Sequence, residues 1–400
     1  MNKLTTSLFS IKRDELGDFL SFSKGIAILF VLMHHFARSA WMCLGMEPPL
    51  LLQWHFVFPL DDYFTMYTVL REGSYWEVLL RLLAHFGYFG FHLFILASGL
   101  GFGWCVPEKI DFGAFIRHRV AKIVPPFWLA VTVFTLLGWM AGHSYSIIQI
   151  VARLLMLTTF NEAEFFTIDS PLWCIALFLQ LYVLFIPLRY LINRWGAVCL
   201  PFFVIIAFLA RQIASLPEIA HWNVYFGHVL ALNWLGIFGL GIWIGGKVRR
   251  EGEVALKTWA VILIFLLALG LTVLSDLSQF IYPIHDSAIG LFAGVIVFVA
   301  WRMSGQSMIH RVCGVIGGIS FPLFLYHRPI IAQALNLWST KTAATAIPPP
   351  YLAIVLIAII ISMLIAQRVL RRCPRVAALI LGISFADDNK PDKPRPRAGS

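Results

Sequence analysis

The chain has 400 residues, 59% of them hydrophobic and only 13% charged, with a mean hydropathy of +0.79. Apolar runs of about 20 residues recur along its whole length, which excludes a soluble domain and describes an all-α, polytopic membrane protein. The formal net charge of +10 does not imply nucleic acid, because the positives cluster in short segments between apolar runs and in the tail, and six scattered cysteines without a CxxC point neither to a metal cluster nor to a disulfide framework.

Residues 1–18 form a polar head carrying Lys3, Lys12, Arg13, Asp14, Glu15 and Asp18. The first apolar run, about 19–38, lacks a small-residue cleavage site and reads as a retained span rather than a signal peptide. It contains Lys24 and, eleven residues on, His35. Ionisable side chains are costly in hydrocarbon and mark functional positions by default. Eleven residues turn a helix through about 1100°, some 20° past three full turns, so the two share one face about 16 Å apart along the axis. His34 faces away from Lys24, and a structural role is favoured for it.

Nine further spans follow, at about 82–104, 123–140, 171–192, 196–213, 225–246, 257–275, 281–301, 313–334 and 351–370. His85 and His92 fall on one face of the second span and read as packing, as do the small residues Ser98 and Gly99. The stretch 147–160 is apolar but only about 14 residues long, short for a crossing, and reads as interfacial or re-entrant. With the N-terminus in the cytoplasm, the basic segments 117–122, 189–194, 247–257, 302–311 and 368–375 fall inside and the acid-leaning segments 45–77 and 161–170 outside. Counting 147–160 as a span would invert every later loop. Ten spans over 19–370 therefore give two cytoplasmic termini, and the Pro- and charge-rich tail within 371–400 is expected to be disordered.

Five segments, taken in order, resemble the membrane acyltransferase-3 family. KGIAILFVLMHH (24–35) is similar to that family's first-helix signature, a basic residue, ten residues, then a catalytic histidine, with Lys24 and His35 in the two positions. GYFGFHLFILASGLGFGW (87–104) resembles its second helix, and FIRHRVAKIVPPFW (115–128) its basic loop, keeping Arg119, Lys122, Ile123 and Pro125. LWCIALFLQLYVLFIP (172–187) resembles its fourth helix, keeping Trp173, Gln180 and Tyr182, and SFPLFLYH (320–327) resembles a late motif that ends at His327. The chain departs from the pattern at Ser21, where an acid is usual, at His118 in place of an arginine, and at Phe178 in place of a glutamate.

The resemblance implies transfer of an acyl group, often acetyl, from cytoplasmic acyl-CoA to a hydroxyl of a glycan or lipid-linked sugar, in a bacterial inner membrane, with no metal and no nucleic acid involved. Acyl transfer from a thioester to a hydroxyl needs a base for the incoming O–H and a stabiliser for the oxyanion, and imidazole suits the first role. The catalytic candidates are His35 and His327. Lys24, Arg117, Arg119 and Lys122, the last three expected in one cytoplasmic loop, are candidates for the phosphates of coenzyme A. Trp173, Gln180 and Tyr182 are candidates for packing or acceptor contact. A secondary transporter is the alternative, against which stand the lack of repeat symmetry and the near-absence of intramembrane carboxylates. A non-catalytic membrane scaffold of the same fold is the third reading.

Overall fold

The computed structural model of the protein describes residues 9–43, 68, 71, 75–107, 109–160, 162–165, 167–168, 170–214, 216, 218, 225–278, 280–305, 307–342, 349–370 and 372–382. It is a helical bundle. α1 (Leu16–Cys43), α2 (Tyr75–Cys105) and α3 (Phe112–Met140) are followed by a short α4 (Ile147–Leu154). Then come α5 (Trp173–Trp195), α6 (Cys199–Ala214), α7 (Leu235–Glu251), α8 (Thr258–Leu277) and α9 (His285–Ser304). α10 (Met308–Gly318), α11 (Ser320–Thr342), α12 (Pro349–Leu370) and α13 (Pro374–Leu381) complete the chain. The strands β1 (Ser10–Lys12) and β2 (Glu253–Ala255) pair antiparallel, Ile11 opposite Val254.

Among the described residues, eight helical stretches are long and apolar enough to cross a membrane, or nine when α10 and α11, bent by 81°, are taken as one span. One of the eight, Trp173–Ala214, has 42 residues, about 63 Å of helix, twice the thickness of a bilayer core. It is broken at Gly196, whose φ of +64° suits glycine. Cys199 Sγ then donates back to the Leu191 carbonyl, 3.2 Å away, so α5 and α6 form a hairpin. The expectation of ten spans differs from nine only in counting this hairpin as two.

α1 lies in the middle because glycines let its neighbours reach its backbone. A Cβ on Gly90 of α2 would sit 2.3 Å from the Ala27 carbonyl oxygen, and one on Gly317 of α10 would sit 1.9 Å from that of Ser21. α2 meets α7 in the same way. Gly99 and Gly103 face the carbonyls of Phe238 and Ile242, while Gly241 and Gly245 face those of Leu96 and Leu100. The spacing of four on both helices is the small-residue interface of membrane bundles, in keeping with the packing role expected of Gly99.

α4 is too short to cross. Tyr145 packs on Gly138, and Trp128 Nε1 donates to the Leu154 carbonyl at 3.0 Å. The segment therefore descends along α3 by ten residues, about 15 Å, which makes it re-entrant. Its Ile147, Ile148 and Val151 are exposed, as a lipid-facing edge requires.

Two expectations need correction. The tail is not structureless from residue 371: α13 lies within it, with Ala377 and Leu381 buried and the Ile380 carbonyl accepting from Tyr326 Oη at 3.0 Å. The apolar run VAALIL gives it a face to dock; residues 383–400 lie outside the described residues. Nor do Arg117, Arg119 and Lys122 lie in a loop. Asp111 accepts from the Ala114 amide as an N-cap, and α3 starts at Phe112, so these cations occupy its first three turns.

Candidate active site

The basic segments gather at one end of the bundle. Arg302 makes a two-pronged pair with Glu15 at 2.9 and 3.0 Å, and Trp301 and His310 both bind Asp18. Arg189 donates to the Pro107 carbonyl at 2.8 Å, Arg249 to that of Val106, and Arg250 to Asn193. The β1–β2 pairing ties Lys12 to the same end.

From this end a cavity of about 470 Å³ runs inward between α1, α2, α3, α5 and α11. Lys24, Arg119, Lys122 and Tyr182 all line it, and no Asp or Glu among the described residues does. The Arg119 guanidinium lies over the Phe102 ring at 4.6 Å, and its Nε is buried without a hydrogen-bond acceptor among the described residues. Phe178, where the resemblance implies a glutamate, forms part of the wall. Arg117 is exposed and does not line the cavity. Gln180 also stays out: its amide donates to the Val229 carbonyl at 3.1 Å and accepts from the Ala231 amide at 3.2 Å. Trp173 packs against Phe91, with ring centroids 5.1 Å apart. Of the three expected substrate contacts, only Tyr182 stands in the cavity.

The inner end of the cavity is walled by Phe94 and Phe324. One turn beyond Phe324, His327 is fully buried and its ring centroid is 4.8 Å from that of His35. His327 Nδ1 lies 2.8 and 3.1 Å from the carbonyl oxygens of Phe324 and Leu323. Both partners are acceptors, so Nδ1 carries the hydrogen, and Nε2, which has no partner among the described residues, presents a lone pair. His34 turns the other way, its Nδ1 held 2.7 Å from the Ala84 carbonyl, the structural role favoured from the sequence. Lys24 and His35 lie on one continuous helix, so the cationic cavity and the histidine pair are joined by three turns of α1.

A second buried cluster escaped the sequence reading. Asp286 at the start of α9 binds Arg211 near the end of α6, and its Oδ1 is 2.8 Å from His92 Nε2 on α2. None of the three side chains is more than 4% exposed. His92 is therefore part of an ion-pair network rather than apolar packing, and an intramembrane carboxylate is present. Each of the three interrupts an apolar run, which is the signal that could have flagged them; nothing in the sequence says that they meet. The cluster lies on the α7-facing side of α2, away from α1.

A family model described as an acyltransferase domain, that of acyltransferase-3, matches residues 18–367. No curated protein and no solved structure matches the chain significantly.

Proposed function

Because the chain belongs to the membrane acyltransferase-3 family, we propose that it is an integral-membrane O-acyltransferase. It takes an acyl group, acetyl in the first instance, from acyl-CoA on the cytoplasmic side of a bacterial inner membrane and delivers it to a hydroxyl of a glycan or lipid-linked sugar. The observation that carries this reading is a cavity lined by Lys24, Arg119 and Lys122 that stops one helical turn short of the His35–His327 pair. The basic end of the bundle is assigned to the cytoplasm by the positive-inside rule.

In this reading the pyrophosphate and 3′-phosphate of coenzyme A meet the three cations, and the pantetheine arm follows α1 inward. The path of about 16 Å along the helix is comparable to that arm extended. His327 Nε2 accepts the proton of the acceptor hydroxyl as its oxygen attacks the thioester carbon. His35 donates to the carbonyl oxygen as it gains charge. The adduct collapses with cleavage of the C–S bond, and the imidazolium returns the proton to the leaving thiolate, which leaves an ester and free coenzyme A.

The test is radiolabelled acetyl-CoA supplied to sealed inverted or right-side-out vesicles, with glycan products read by mass spectrometry. Label should enter product when the donor meets the basic face, and His35→Ala should abolish it. Turnover from donor confined to the opposite face, or full activity in His35→Ala, refutes the proposal.

A further inference from the structure

The positive charges near the histidine pair are unexpected at that end of the bundle. Short outer segments of membrane proteins are poor in Lys and Arg. Yet Arg38 follows His35 by one helical turn on α1, and Arg328 directly follows His327 on α11. Both guanidinium groups lie within electrostatic reach of the His35 ring and of one another. Both are half-buried.

Two other arginines in this half of the bundle have structural work. Arg153, 1% exposed, donates to the carbonyls of Phe165, Glu164 and Thr167 and so fixes the chain after α4. Arg211 neutralises Asp286. Arg38 differs, since no ion pair or hydrogen bond joins its side chain to the described residues. Arg328 has a contact within the protein, so Arg38 is the primary group of the two. Two like charges beside one reaction centre repel each other, a cost that a bound anion would offset. The guanidinium fork matches a carboxylate or phosphate through paired N–H donors.

We infer that the acyl acceptor is anionic, and that Arg38, aided by Arg328, holds its carboxylate or phosphate while a neighbouring hydroxyl stands at His35 and His327. The inference rests on the acyltransferase reading above and names the acceptor class for that site. The anion could be the carboxylate of an acidic sugar or the phosphate of a lipid-linked one, and both present the same oxygen acceptors to Arg38.

The experiment uses the full chain in lipid nanodiscs with three soluble probes: methyl glucuronide, glucose 1-phosphate and methyl glucoside. Equilibrium binding is measured without donor, and transfer is measured with acetyl-CoA. A charge-assisted hydrogen bond contributes about 10- to 100-fold in affinity. Wild type should therefore bind one anionic probe at least about 10-fold more tightly than the neutral glucoside, and which probe wins identifies carboxylate or phosphate. Arg38→Gln should erase that preference and raise KM for the anionic probe, with a smaller change in kcat; Arg38→Lys should restore part of it. Equal binding of all three probes by wild type overturns the inference, as does an anion preference that survives in Arg38→Gln. Binding preference without any transfer would sink the acyltransferase reading and leave the anion site standing.

Discussion

Replacing Asp286 by Asn should be among the most damaging single changes in the bundle. The carboxylate is 2% exposed and bound to Arg211 and His92, themselves 4% and 0% exposed. An amide keeps the shape and removes the charge, so Arg211 is left buried without its counter-ion. Breaking one side of such a pair costs about 3–5 kcal/mol, or roughly 10²- to 4 × 10³-fold in the folded-to-unfolded ratio. Arg211→Met should cost a similar amount, because it strands the carboxylate with two histidines, His92 and His285, and no permanent cation. The double variant strands neither charge, and Met fills the space of the arginine stem; it should lose less than either single variant. The assay is reversible SDS unfolding in mixed micelles, followed by tryptophan fluorescence and circular dichroism and read as a double-mutant cycle. Additive losses, or single variants as stable as wild type, would refute the view that this cluster is a buried ion pair holding α2, α6 and α9.

Four other outcomes follow from the geometry. His327→Gln removes the Nε2 lone pair yet leaves an amide for the Phe324 carbonyl, so kcat should fall about 10²- to 10⁴-fold with an unchanged unfolding midpoint; loss of folding instead would make His327 structural. Arg119→Gln should raise KM for acyl-CoA about 10- to 100-fold and lower the salt sensitivity of donor binding, whereas an unchanged KM would remove Arg119 from the donor site. Gly317→Ala places a Cβ 1.9 Å from the Ser21 carbonyl oxygen, so α1 and α10 must separate at a cost of about 1–3 kcal/mol, measurable in the same SDS titration; wild-type stability would show that the contact is looser than described. Burial pushes the Glu15 carboxyl up, but hydrogen bonds from Arg302 and the Lys12 amide, with the charges of both side chains, outweigh it and hold the group below its ordinary 4.5. The folded chain then binds that proton less tightly than the unfolded chain, so the clamp stabilises fully above the ordinary value and loses its contribution as pH falls through the folded one. Glu15→Gln should flatten the acid limb of the stability–pH curve, and an unaltered limb would mean that Glu15 does not contribute to it.

The spans were legible because hydrocarbon thickness sets a length and a composition that survive any tertiary context. The shared face of Lys24 and His35 was legible for the same reason: helix geometry is local. The loop expected between α2 and α3 is largely helix, because Asp111 starts α3 early enough to carry Arg119 and Lys122 into the cavity wall. The meeting of His92 with Asp286, 194 residues apart, was not legible at all. Periodicity says which residues share a face of one helix and nothing about which helix lies opposite. The glycines of α2 and α7 show the middle case. The sequence marks a close approach at Gly99, but only the packed bundle shows that Gly241 and Gly245 return it from the other side.

Charge balance separates the structural sites from the candidate functional ones. Where the fold needs a buried charge it supplies the opposite charge or a set of carbonyls, as at Arg211, Arg153 and Arg302. The cavity lined by Lys24, Arg119 and Lys122 is built otherwise. Phe178 stands where the resemblance to the family's fourth-helix motif implies a glutamate, and its ring lies 6.4 Å from that of Tyr182 in the cavity wall. A carboxylate there would face Lys24 and Arg119 across the same space and share their field. With phenylalanine in its place, no carboxylate lines the cavity among the described residues. In a low-dielectric site that imbalance raises the attraction for an incoming polyanion. On the proposed reading, phenylalanine at this position therefore does not weaken donor binding, because no carboxylate among the described residues lining the cavity competes with the phosphates for Lys24 and Arg119.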